Sequence, residues 1–242
     1  MPGIASETLS ELGNSGTPLD LGNTLALNKE PRGNPKFTAA LEGLPKDVRI
    51  LDVGCGSGNT LLFYRNLGYT NLYGIEVEKV LVEFARKEWG LNITEGPGED
   101  LSSFPDKSFD VVYSNHSLEH MRRPDLALRE MYRVLRDDGI AVIGLPNGRH
   151  LDDLFLRCLQ KLYYGRSDHI QAFSYRSFCD LLAATGFEVI AHSDNYESLH
   201  LLMDRRLPFH KVFEGLYAVA KRLYWQVHSF DLVAKKARPS TP

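Results

Sequence analysis

The twelve residues from Val48 to Asn59, VRILDVGCGSGN, pass from an apolar run straight into glycines at positions 54, 56 and 58. Val48–Val53, short and stopped abruptly, reads as a buried parallel strand. The glycines allow a sharp turn and a close approach of ligand to backbone. Thr60–Leu67 (TLLFYRNL) follows as a helix stopped at Gly68. The turn therefore presents the unpaired N–H groups of a helix start, which suit a carboxylate or a phosphate.

Outward from this turn the pattern alternates. Asn71–Glu76 (NLYGIE) is a second strand, and its last residue is an acid 18 positions after Gly58. A carboxylate there can accept both hydroxyls of a ribose, and in a doubly wound sheet it faces the same crevice as the glycine turn. Glu78–Trp89 is a helix with Val80, Leu81, Phe84, Ala85 and Trp89 on one stripe, stopped by Gly90. Strands follow at Leu91–Thr94 and Phe109–Ser114, a helix at Pro124–Arg136, and a fifth strand at Ile140–Leu145. Beyond Pro146 the rhythm changes to helices at Leu151–Tyr164 and Tyr175–Ala184, a strand at Phe187–Ala191 and a last strand near Ser198–Met203. The expected fold is α/β: a doubly wound, mostly parallel seven-stranded sheet with a helical cap insertion and a C-terminal helix.

With 242 residues, 43% hydrophobic and 24% charged, the chain is long enough for one well-filled domain. The net charge of −3 is unevenly spread: from Arg205 on there are eight Lys/Arg against two Asp/Glu, and before it twenty against twenty-nine. An acidic body argues against DNA as a partner and against nucleic acid generally. The basic end, Phe213–Val233, reads as an amphipathic helix with Phe213, Leu216, Ala220, Leu223, Tyr224 and Val227 in register. Packing on its own core or in a homodimer is favoured over contact with an anionic membrane surface. Cys55, Cys158 and Cys179 are too few and scattered for a disulfide framework. No apolar leader and no run of about 20 apolar residues is visible, so a cytoplasmic location is expected.

LDVGCGSGN, then GIEVEK, then FPDKSFDVVYSNHSLEHMRRPDLALREMYRVLRDDGIAVIGLPN together resemble the class I S-adenosylmethionine-dependent methyltransferase family over about residues 48–195. The turn is G-x-G-x-G, with Asn59 where a dinucleotide site would carry its third glycine. The resemblance implies S-adenosyl-L-methionine as cofactor, with Gly54, Gly56 and Gly58 along its methionine part and Cys55 a small packing residue among them. Asp52 would orient the turn and the amino group, Glu76 would hold the ribose, and Val77 would pack on adenine; Asn115, closing the fourth strand, joins this set. Gly96-Pro97-Gly98-Glu99-Asp100-Leu101 departs from the family, which often has Gly-Asp-Ala before Glu-Asp-Leu; Pro97 stands in the Asp position. Adenine is then left to the Gly98–Glu99 backbone or to the Glu99 or Asp100 side chain.

After the fourth strand comes Asn115-His116-Ser117-Leu118-Glu119-His120. In a helical turn His116, Glu119 and His120 stand at i, i+3 and i+4 on one face, a spacing that suits metal ligands or a base pair. His169, in DHIQAFS, is placed to close over the same mouth, and His150 reads as a solvated loop residue. The cluster resembles metal-dependent O-methyltransferases of small-RNA 3′ ends and of ubiquinone synthesis, which carry Glu-x-x-Glu-His; this chain has His116 in place of the first Glu. Structural bracing is the favoured reading, ahead of a divalent metal and of metal-free proton transfer. If the turn is chemical, His116, Glu119, His120 and His169 carry the chemistry.

The resemblance thus implies methyl transfer to a small-molecule acceptor by in-line displacement, with a hydroxyl as the favoured target. The alternatives are a non-catalytic cofactor-binding partner protein and a metal-dependent RNA 2′-O-methyltransferase. Residues 1–35 would form a flexible arm, 36–204 the methyltransferase domain with 146–186 as acceptor cap, and 205–242 the basic helix.

Overall fold

The computed structural model describes residue 31 and residues 33–147, 170–195 and 229–238. The elements are α1 (Pro35–Ala40), β1 (Arg49–Val53), α2 (Asn59–Asn66), β2 (Asn71–Glu76), α3 (Lys79–Trp89), β3 (Asn92–Glu95), β4 (Phe109–Asn115), α4 (Pro124–Val134), β5 (Leu135–Pro146), α5 (Tyr175–Ala184), β6 (Phe187–Asn195) and β7 (Ser229–Lys236). A single 3-10 turn, Leu118–His120, lies between β4 and α4. The strands form one seven-stranded sheet in the order β3-β2-β1-β4-β5-β7-β6, with β7 antiparallel to both neighbours.

β1 is central because Ile50, Leu51 and Val53 are buried on alternating faces, so both sides of the strand need cover. One face packs Leu51, Val53 and Val112 against α4 through Leu128 and Met131. The other packs Ile50, Val111 and Tyr113 against Leu61 and Tyr64 of α2, Val82 of α3 and Phe37 of α1. Phe37 lies flat on Tyr113, ring centroids 4.1 Å apart. α1 is only six residues long, and its start is fixed by Asn34, whose Oδ1 accepts from Lys36 N at 2.8 Å and Phe37 N at 3.3 Å, ahead of Pro35. Gly33 sits where any Cβ would run into the Phe63 ring of α2.

Two expectations are corrected. The amphipathic helix expected through Val233 does not reach it: Ser229–Val233 belong to β7, and the last strand of the sheet is this one. Phe230, Leu232 and Ala234 are buried on one face with period two, and seven residue pairs to β5 and eight to β6 hold the strand between them. Within FDLVA a helical and a strand pattern are equally satisfied, and sheet pairing decides. The domain thus runs to at least Lys236. α4 also ends at Val134, two residues early, and Leu135 and Arg136 already lie inside β5.

The helix expected at Leu151–Tyr164, the strand near Ser198–Met203, His150, His169 and residues 1–30 and 205–228 lie outside the described residues. Among the described residues no helix is long and apolar enough to cross a membrane.

Candidate functional site

The register of the two strands brings the turn and the acid together. Val53 pairs with Ile75, so Gly54 and Glu76 leave the sheet side by side at its carboxyl edge. The Ile75 carbonyl accepts from Gly54 N at 2.9 Å and Cys55 N at 3.1 Å, tying the turn to β2. Glu76, 8% exposed, accepts Gly56 N–H on Oε2 at 2.8 Å and Glu78 N–H on Oε1 at 2.9 Å. The carboxylate is therefore a bolt across the mouth of the turn as well as an acceptor aimed into it.

Gly54 has φ +74, and a Cβ there would lie 2.5 Å from the Ser117 Cβ. Ser117 holds the floor: its Oγ donates to the Val53 carbonyl at 2.9 Å and lies 2.6 Å from the Ser114 hydroxyl. Gly56 has φ +55 with nothing near its missing Cβ, so its bare Cα faces open space. Gly58 is the left-handed cap of α2, at φ +80. Cys55 fills the space above Gly74, where a Cβ would meet its sulfur at 2.6 Å. Burial first, then Asp52 and Glu76, pushes its thiol well above the ordinary range, leaving it inert at neutral pH.

Asp52 is buried behind the turn, and burial, then the neighbouring Glu76 carboxylate, pushes its carboxyl up to about 8. An unfolded aspartate titrates near 4. The raised folded value means that the neutral acid is favoured in the fold. Its contribution to stability is fully present below about pH 4 and is lost as pH rises through about 8. Melting curves of the cofactor-free protein should therefore show a Tm that falls from pH 5 to 8 more steeply than in Asp52→Asn; parallel pH profiles would contradict this.

Val77 follows Glu76 and is 61% exposed, an apolar side chain lying open at the same edge. Gly98 is buried against Val53 and Met121, where a Cβ would sit 2.9 Å from Val53 Cγ1. Both acids after it are engaged: Glu99 Oε1 accepts from Arg122 N at 3.1 Å, and Asp100 Oδ1 from Ser102 N at 3.0 Å.

The turn after β4 is tighter than a helical one. His116 lies outside the 3-10 turn, at φ +51, with its N–H on the Gly144 carbonyl at 2.9 Å. Glu119 is 1% exposed; its Oε1 is 3.5 Å from His116 Nδ1 and 3.9 Å from His120 Nε2. Neither of its oxygens has a hydrogen-bond partner among the described residues. The Glu119 carbonyl accepts from Ile170 N and Gln171 N, both at 2.9 Å, docking the segment after His169 onto the turn. Among the described residues no three His, Cys, Asp or Glu gather as a metal set.

Asn115 is joined by two residues that the sequence did not single out. Asn34 Nδ2 is 3.4 Å from both Asn115 Oδ1 and Asp231 Oδ1. Asn34 carried a signal, since Asn before Pro and an apolar run marks a helix start. Asp231 carried none within a segment that reads as helix, and Ser117 is placed only by the packing of β4 on β1.

The sheet order and an acid-flanked glycine turn at its carboxyl edge define a class I methyltransferase fold, built to hold a nucleoside bearing an amino-acid arm. The methyltransferase-domain family model matches residues 24–192, and the chain belongs to the S-adenosylmethionine-dependent methyltransferase family. O-methyltransferase rstn1 of Aspergillus nomiae is 31% identical over 188 residues, 68% of this chain and 80% of that protein. 2-Methyl-6-phytyl-1,4-hydroquinone methyltransferase of Synechocystis is 34% identical over 113 residues, 45% of this chain and 35% of that protein. The chain spans 35–42% of the length of the first curated relatives it matches. Among solved structures, a SAM-dependent methyltransferase from Archaeoglobus fulgidus has the same fold, with TM-score 0.61, 21% identity and coverage of 88% of this chain and 99% of that one.

Proposed function

We propose that the protein transfers a methyl group from S-adenosylmethionine to a hydroxyl of a small molecule. The carrying observation is the pairing of Glu76 with the glycine turn over the buried Asp52. The residues fit the cofactor. Each Glu76 oxygen has one lone pair on a backbone N–H and one left for a ribose hydroxyl. Val77 offers an apolar face for adenine, the open side of Gly56 admits the methionine arm, and Asp52 regains its charge beside a cation. Bound there, the cofactor supplies a methyl group already activated by its sulfonium. What the chain must add is position, exclusion of water and a home for the acceptor's proton.

Glu119 serves as the positioning residue for that proton. Buried, with its carboxylate facing His116 and His120, it attracts an imidazolium at the edge next to the glycine turn, where one of the two histidines can receive the proton. Proton transfer through these side chains needs no metal at the turn. Relatives named as O-methyltransferases support the hydroxyl, and one named for a hydroquinone supports an aromatic acceptor.

Calorimetry with S-adenosylhomocysteine and with a nicotinamide dinucleotide tests the cofactor: the first should bind and the second should not. Transfer of labelled methyl to hydroxyl-bearing aromatics tests the turn. Glu119→Gln should lower kcat about 100-fold at unchanged S-adenosylhomocysteine affinity, the low end of general-base effects. Chelator should leave the wild-type rate as it is. A rate lost to chelator and restored by Mg²⁺ or Mn²⁺ would replace the proton-transfer reading with a metal one.

A further inference from the structure

The connection from β3 to β4 opens as a strap along the edge of the site. Gly96 N donates to the Glu76 carbonyl at 2.9 Å, so the strap starts beside the acid that closes the glycine turn. Gly98 is buried against Val53, at the end of β1, and Met121. Glu99 Oε1 accepts from Arg122 N at 3.1 Å, just past the histidine turn, and Asp100 N donates to the Pro97 carbonyl at 3.1 Å. The strap thus runs from Glu76 past β1 to the histidine turn. With Pro97 in the position of the usual Asp, residues 98–100 are the ones left to meet adenine.

The far end of the strap hangs on one side chain. α4 leads away from the histidine turn to β5, and Arg133 stands in its last turn. A guanidinium has five N–H donors in a rigid plane, and here all five are engaged. Nη2 donates to the Leu101 carbonyl at 2.8 Å and Nη1 to the Phe104 carbonyl at 3.0 Å; Asp106 and Glu130 take the other three, at 2.6 to 2.9 Å. Glu130 Oε2 also accepts from Leu101 N at 3.0 Å. Leu101 is therefore fixed at both its N–H and its carbonyl, directly after Asp100, by two residues of one helix. Exposed ion pairs by themselves contribute little to stability. Pinning both main-chain groups of Leu101 does something else: it restrains the stretch 98–100 between two anchors.

We propose that Arg133 is a positioning residue for base recognition: through Leu101 and Phe104 it holds the stretch 98–100 against the edge of adenine and so sets a preference for adenine over hypoxanthine. This rests on the reading above that the site takes S-adenosylmethionine. Arg133 touches no part of the cofactor. It acts by preorganising the strap, and a slack strap would leave the ribose and the methionine arm held while the base went unread. Lysine cannot take its place, because a single ammonium lacks the planar fork that reaches two carbonyls and a carboxylate together.

The probes are S-adenosylhomocysteine and S-inosylhomocysteine, each titrated by calorimetry into the full chain. Hypoxanthine puts a carbonyl where adenine has its amino group and an N–H where adenine has an acceptor, so polar groups set for one edge oppose the other. The wild type should bind the adenine compound at least 10-fold more tightly. Arg133→Met should cut that preference below 3-fold by weakening the adenine compound alone, with S-inosylhomocysteine affinity kept within 2-fold. Arg133→Lys keeps the charge and the stem, so it should fold more readily than Arg133→Met and still lose most of the preference. A merely structural clamp would weaken both compounds equally, or neither. Equal weakening, or a full preference retained in either folded variant, overturns the proposal, as does a wild type indifferent to the base. Failure of both variants to fold overturns it too, since Arg133 is then a folding determinant. A wild type that binds neither compound overturns the cofactor reading itself, and that result is read before any variant is compared.

Discussion

Glu76→Ala should raise the Kd for S-adenosylhomocysteine about 100-fold, measured by calorimetry on a variant whose circular dichroism matches the wild type. The size follows from what the carboxylate does twice over. It is expected to accept two ribose hydroxyls, and hydrogen bonds to a charged group contribute about 1.5–3 kcal/mol each, so two come to at least about 3 kcal/mol. It also receives the Gly56 and Glu78 N–H groups that shape the mouth of the turn. Alanine therefore removes both the ligand contact and the restraint that preorganises the glycines. Glu76→Gln keeps the shape and one acceptor oxygen, so it should fall between the two. An affinity unchanged in a folded Glu76→Ala protein would end the cofactor assignment.

Gly54→Ala should abolish cofactor binding and destabilise the domain by about 2–5 kcal/mol in denaturant unfolding. Two costs add. The left-handed backbone at φ +74 penalises any Cβ by about 1–2 kcal/mol. That Cβ would also lie 2.5 Å from Ser117 Cβ and 2.8 Å from its Oγ, and overpacking of this kind costs about 1–3 kcal/mol. Relief requires Ser117 to move, which breaks its bond to the Val53 carbonyl and opens the seam between β1 and β4. Gly56→Ala is the informative contrast: it meets the same backbone penalty at φ +55 but no protein atom within 4 Å. It should lose ligand affinity with a much smaller loss of stability. Equal stability losses in the two variants would show that conformation alone, and not the Ser117 contact, sets the cost.

The meeting of the glycine turn with Glu76 was legible because it is local. A short, mostly apolar strand, a glycine turn and an acid at the end of the next strand follow from short-range rules, and the parallel register of the two strands puts them together. The histidine turn was legible as a set of residues but not as a shape. An i, i+3, i+4 spacing suggests a helical face, whereas His116 is pulled out of the turn by its bond to the Gly144 carbonyl and takes a left-handed backbone. The approach of Asn34 to Asn115 and Asp231 was not legible at all. Asn34, Asn115, Gly144 and Asp231 come from α1, β4, β5 and β7, and no spacing rule relates them.

By itself the sequence determined the layered α/β fold and the glycine turn and acid that meet at one edge of the sheet, since periodicity and turn chemistry act within a few residues. Tertiary structure alone decided that Ser229–Lys236 is a strand and not a helix end, because its apolar spacing suits either and only the open edges of β5 and β6 select one. That choice carries Asp231 to the carboxyl edge of the sheet, beside Asn115 and Asn34. Long-range pairing, which no local pattern encodes, thus chose the neighbours of Asn115.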